Sequence, residues 1–288
     1  MTDVAPEPEL TDDGPRPSIR VVRTYDHPIE RVWRAVTTPE HLARWFPTGV
    51  TLDLTPGGRI RFGDLGDGGS EGEVLAVDPP RRFAFLWGDQ RFEFELEPAA
   101  GGTRFTLVHH FDDRPGAASF ATGWERCLRA LAADLAGTEP PAPDRGVARH
   151  EELVTRFGLD RPRVTHDATG WHVRFERQLT CPADRAWSIF FGGTRAPAVG
   201  EPFHPFAAPD QLLGTVVEAD APTTFVFDTA DGEPGSRVHL RLGAGTGHGA
   251  RLVLEVDGTD EAELGPAIDQ WGGGAIAHVA REAAASNA

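Results

Sequence analysis

The sequence predicts an α+β protein built from two tandem copies of one plan, each a curved antiparallel sheet whose apolar face is covered by a long terminal helix. Three observations predict it. Short segments of alternating apolar and polar residues follow one another from Val50 to His109, the pattern of half-buried antiparallel strands. A helical stripe of Phe120, Trp124, Cys127, Leu128, Leu131 and Leu135 closes the first half, and a sheet with one apolar face needs such a cover. Ordered echoes then recur: Pro28 with Pro182 and Trp33 with Trp187 at an offset of 154, Arg104 with Arg251 and Trp124 with Trp271 at 147. Repeated spacing of this kind marks a duplicated fold.

The elements follow in order. Ile19 to Tyr25 is a strand. Pro28 suits the first turn of a helix with Asp26 or His27 as its cap, and Ile29, Val32, Trp33 and Val36 give that helix one apolar face. A second short helix starts near Pro39 and carries Leu42, Trp45 and Phe46. Strands are expected at Val50–Leu54, Arg59–Phe62, Glu73–Val77, Phe83–Trp87, Phe92–Leu96 and Phe105–His109, with Pro56-Gly57-Gly58, Asp78-Pro79-Pro80 and Gly101-Gly102 as turns.

The domains come out as an acidic, Pro-rich disordered leader over 1–17, a first domain over 18–137, a Pro-rich linker over 138–146 and a divergent second domain over 147–288. At about 150 residues per domain, 288 residues also divide in two. The second half starts with a strand at Trp171–Leu179 and a helix after Pro182, preceded by a short helix within 147–157. It has nothing like Pro39 to Phe46 and runs instead through a loop, Pro197 to Pro209. Its last helix carries Gly272-Gly273-Gly274, which permits close approach to the sheet or a bend.

Composition excludes several functions. With 28 basic and 44 acidic residues the net charge is −16, so no general basic excess exists to displace the counterions of nucleic acid. No run of about 18 apolar residues spans a membrane, and no secretory leader is visible, so the plain reading is a cytoplasmic protein. Cys127 and Cys181 form no disulfide framework or metal motif. His109 and His110 are adjacent on a strand and diverge, so neither a metal nor a cofactor is expected. The glycine clusters Gly63–Gly69 and Gly243–Gly249 lie between strands and lack a phosphate-loop or dinucleotide setting.

The first half resembles the family named for the C-terminal domain of the activator of Hsp-90 ATPase, within the START-like, helix-grip superfamily. The resemblance rests on His27 to Trp33, Pro39-Glu40-His41-Leu42 with Trp45-Phe46, Pro56-Gly57-Gly58, Gly72-Glu73-Val74 with Asp78-Pro79-Pro80, Gly102-Thr103-Arg104 and Gly123-Trp124. It implies a helix-grip fold, a curved antiparallel sheet wrapped around the long C-terminal helix. It also implies a hydrophobic small molecule held between them. The second half resembles the superfamily less specifically.

The pocket-wall candidates are Trp33, Trp45, Phe46, Trp87, Phe120 and Trp124, which supply rigid apolar area or simply pack the core. His109 shares strand parity with Phe105 and Leu107 and faces inward, as a hydrogen-bonding or acid/base group or as a satisfied structural histidine. Glu93 and Glu95 have outward parity, as do Arg59, Arg61 and Arg91. Cys127 fills core volume, whereas Cys181 precedes a helix start that favours a thiolate. The leading function is binding of an apolar molecule. The alternatives are a cyclase, dehydratase or hydrolase acting on an apolar substrate, with His109 as the first acid/base choice ahead of Glu93 or Glu95 and no persuasive acid/base pair, and a chaperone-associated interaction protein. The acidic surface is compatible with a homodimer.

Overall fold

A computed structural model of the chain describes residues 5–12, 14–63, 68–140, 142, 144–247 and 249–286. They fall into two compact units, 1–144 and 145–288. Parts of the expected leader, the linker and both glycine clusters lie outside the described residues.

In the first unit the strands are β1 (Glu9–Thr11), β2 (Ser18–Tyr25), β3 (Val50–Leu52), β4 (Arg59–Phe62), β5 (Ser70–Asp78), β6 (Arg82–Trp87), β7 (Gln90–Ala99) and β8 (Gly102–His110). Every described pairing is antiparallel, in the order β1-β2-β8-β7-β6-β5-β4-β3. The expected leader therefore needs correction: its residues Glu9–Thr11 pair with Arg20–Ser18 at the sheet edge. The helices are α1 (Ile29–Thr37), α2 (Pro39–Trp45) and α3 (Ala117–Ala136). Pro28 is the cap residue of α1, without a side-chain cap, rather than part of its first turn. α3 ends on Gly137 at φ 68°, a left-handed position that glycine adopts readily.

The inner face of this sheet is aromatic because alternate residues point one way. Phe85 lies opposite Phe92, and Phe92 opposite His109; the next row runs Phe83, Phe94, Leu107. α3 lies on this face, with Trp124, Leu128 and Leu131 buried. A clamp ties α2 to α3: the buried Asp134 carboxylate accepts hydrogen bonds from His41 Nδ1 and Arg44 Nη1, both at 2.7 Å. Burial pushes this carboxyl up, but the hydrogen bonds from His41 and Arg44 outweigh that and hold it below the usual range.

The second unit carries α4 (Val147–Arg156), β9 (Arg163–Asp167), β10 (Gly170–Gln178), α5 (Ala183–Phe190), β11 (Pro202–Phe203), β12 (Gly214–Asp220), β13 (Thr224–Thr229), β14 (Arg237–Ala244) and β15 (Ala250–Gly258). It ends in α6 (Glu261–Ile268), a π-helical segment Asp269–Ile276 and α7 (Ala277–Ala285). The described strands run β11-β12-β13-β14-β15-β10-β9, again antiparallel. A Cβ on Gly272 would lie 2.5 Å from the Phe175 ring, so glycine is what lets this helix approach the sheet.

The expected helix-grip geometry is not what forms. Both sheets are open, ending at β1 and β3 or at β11 and β9, and neither curls strongly; helices flank them rather than being wrapped. Strong curvature comes from bulges repeated across a sheet. Here the described pairings hold one register shift per sheet, between Val74 and Ala76 and between Val216 and Glu218.

Candidate functional site

The candidate residues of the first unit meet between α2, α3 and the sheet. Phe46 contacts Trp45 (centroids 5.5 Å), Trp87 (5.3 Å) and Trp124 (5.5 Å). Trp124 also meets Phe92, which stacks on His109 at 4.2 Å, and Phe120 closes on His109 at 4.8 Å. Six of the seven candidates thus form one continuous aromatic cluster. Trp33 is buried but has no ring contact with it among the described residues.

The polar edges of these rings are satisfied. Trp45 donates to the Ala35 carbonyl at 2.9 Å and Trp87 to Ser70 Oγ at 2.6 Å. Trp124 Nε1 donates to His109 Nδ1 at 3.1 Å, and His109 Nε2 lies 2.6 Å from Gln90 Oε1. An indole N–H only donates, so Nδ1 is the acceptor and Nε2 carries the proton toward Gln90. Protonating Nδ1 would set it against the indole donor. Burial, with a smaller contribution from His110, pushes His109 down from 6.5 to about 3. This is a neutral imidazole with both nitrogens engaged, a poor general acid or base near neutrality.

The outward groups behave differently. Glu93 receives Arg82 (2.8 Å) and Arg91 (3.0 Å) on the far face, away from the aromatic layer. Burial raises both thiols, Cys127 to about 11 and Cys181 above its usual value. Cys181 therefore gains no thiolate character from its place before α5, where the cap residue is Pro182.

A void of about 10 Å³ lies beneath α2 and the β3–β4 edge, lined among the described residues by apolar side chains that include Leu42, Phe46, Leu52, Ile60 and Phe62. At its margin Phe62 stacks on Trp87 with centroids 4.5 Å apart. Sequence reasoning missed Phe62, Phe92 and Gln90 as site residues. The alternation of β4 and β7 placed both phenylalanines inward and was the available signal; Gln90 shares the parity of Phe92, but its contact with His109 depends on the pairing of β7 with β8.

Residues 26–136 match the family of Activator of Hsp90 ATPase homolog 1-like proteins. The match lies within the first unit and supports an association of residues 26–136 with the START-like superfamily. No curated protein matches the chain. Among solved structures, the crystal structure of CalU16 from Micromonospora echinospora is similar over 53% of this chain and 95% of its own, at 28% identity and a TM-score of 0.44. A conserved protein of unknown function from Enterococcus faecalis, EF2215, is similar over 52% of this chain and 92% of its own, at 18% identity and a TM-score of 0.46. Neither likeness assigns an activity to residues 26–136. No helix of the described residues is long and apolar enough to cross a membrane.

Proposed function

We propose that the first unit binds a small apolar molecule under α2 and the β3–β4 edge. The observation that carries this is the void of about 10 Å³, whose described lining is wholly apolar and which abuts the Phe46–Phe62–Trp87 stack. A void of this size holds at most a water, and an apolar one stays dry. The bound form therefore needs Phe46 and Phe62 to move aside with α2 and the short edge strands. Burying roughly 200 Å² of apolar ligand surface supplies about 5 kcal/mol toward that rearrangement. The occupied ring nitrogens of His109 favour binding over acid/base turnover.

Native mass spectrometry of the freshly purified chain, then of chain exposed to decanol and to naphthalene, tests the reading. The expected result is a one-to-one apolar adduct, weakened by Leu52→Trp at the margin of the void. No adduct in any of the three samples would reject it.

We also propose that the second unit is a divergent copy of the first. Support comes from features at matching offsets. The bulge at Val74/Ala76 corresponds to that at Val216/Glu218. A Cβ on Gly102 would meet the Tyr25 carbonyl oxygen at 2.0 Å, and one on Gly249 the Leu179 oxygen at 1.8 Å. On this alignment Val256 stands where His109 stands, and Trp271 where Trp124 does. The buried Trp271 Nε1 then lacks a partner because its acceptor is a valine. Alanine at the two glycines tests the correspondence: Gly102→Ala and Gly249→Ala are each expected to destabilise strongly.

A further inference from the structure

The outer face of the second sheet carries a groove of about 440 Å³ that the apolar reading of the first unit does not use. Its floor is two rows of cross-strand neighbours. One row runs Arg163 on β9, Arg174 on β10, Glu255 on β15 and His239 on β14; the next runs Thr165, His172 and Asp257.

The carboxylates of β15 serve the central and β14 side of these rows. Glu255 accepts from Arg174 Nη1 at 2.5 Å and also pairs with Arg241 Nη2. Asp257 lies 2.7 Å from His172 Nδ1 and 3.9 Å from His239 Nε2, while Asp167 takes His172 Nε2 at 3.0 Å. Glu176 holds the second arm of Arg174 at 3.0 Å. Arg163 is left over. It makes no hydrogen bond or ion pair among the described residues, yet it stands directly across the ladder from Arg174 on the same face. Like charges directly opposite each other destabilise a strand pair. An oxyanion between them would offset the repulsion that Glu255 and Glu176 leave uncompensated, taking charge-assisted hydrogen bonds from Arg163 and from the N–H groups of Arg174 that these carboxylates do not occupy.

We propose that this groove binds the phosphate group of a small phosphorylated molecule, held between Arg163 and Arg174 with Arg241 and His239 on its inner side. Phosphate fits better than a single carboxylate because its oxygens face two guanidinium groups at once. Cross-strand neighbours lie about 5 Å apart, within the span of one tetrahedral anion with its donors. The groove's size falls in the range of small-molecule sites.

The test uses the full chain and inorganic pyrophosphate as probe, followed by calorimetry at low salt. The expected result is saturable one-to-one binding that Arg163→Ser weakens at least about tenfold. Arg163 is exposed on an edge strand, so this variant keeps the fold. No saturation up to about 1 mM, or equal binding by Arg163→Ser, overturns the proposal. A second readout needs no ligand: Arg163→Glu, by pairing with Arg174, raises the thermal midpoint of the unliganded chain. A midpoint left unchanged or lowered removes the repulsion on which the site is argued.

Discussion

His109 makes the first unit acid-sensitive in a window where carboxylates contribute little. In the unfolded chain this imidazole takes up a proton as pH falls through 6.5; in the fold it stays neutral until about 3. The unfolded state thus binds the extra proton, and stability present above pH 6.5 is lost progressively on the way down. Between pH 7.5 and 4.5 the loss works out at about 2.7 kcal/mol, from about 1.36 kcal/mol per unit. That is a large part of an ordinary domain's stability of about 5–15 kcal/mol. His110 is lowered too and adds with the same sign, while His172 of the second unit is raised and acts oppositely, gaining below the unfolded value. Native-state hydrogen exchange at the amides of β7 and β8 separates the first unit from the second. Comparison with His109→Gln isolates the one residue. The expected outcome is a protection free energy that drops by about 2.7 kcal/mol in the wild-type chain and much less in the variant. Equal drops in both would refute the argument, as would an imidazole titration by NMR that places His109 near its ordinary value.

Two comparisons between the units extend this. Trp124→Phe breaks the bond to His109 and leaves Nδ1 unpaired, whereas Trp271→Phe deletes a donor that has no partner. Denaturant unfolding should therefore show the first substitution more destabilising than the second by about 1–3 kcal/mol. Gly102→Ala and Gly249→Ala each drive a methyl group into a backbone carbonyl, at 2.0 and 1.8 Å, and should each cost about 3 kcal/mol. A tolerated alanine at Gly249, measured in the same way, would separate the two units' turns and count against their common origin.

Most of the strand order was legible because period-two alternation is strong in β4, β7 and β8, where Ile60, Phe92 and Phe105 each follow or precede a charged neighbour. Helix α2 was legible from Pro39 and the spacing of Leu42 and Trp45. The edge strand β1 was not. Glu7, Pro8 and Glu9 have the composition of a solvated segment, and only the partner strand gives Leu10 its place. Sheet curvature was equally hidden, since it depends on how many bulges accumulate across strands, and a one-residue shift in β5 leaves no mark on the apolar pattern. The inward direction of His109 followed from parity, but its chemistry did not. Whether an inward histidine is a base or a locked neutral ring depends on Trp124 and Gln90, one on a helix and one on the neighbouring strand.

On the proposed duplication, the π-helical segment Asp269–Ile276, which contains Trp271, bears on the chain's history and its handling. A helix rotates about 100° per residue, so one inserted residue would swing everything beyond it off the sheet. Trp124 and Trp271 are 147 positions apart, but Leu131 and Val279, the corresponding buried positions further along, are 148 apart. The wider turn between Asp269 and Ile276 absorbs that extra residue and keeps Ile276, Val279 and Ala283 on the buried side. The glycine run is therefore the slack in this helix. On the proposed duplication it is where one extra residue is accommodated without shifting the frame of the packing, and where one can be removed with the downstream half still meeting the sheet.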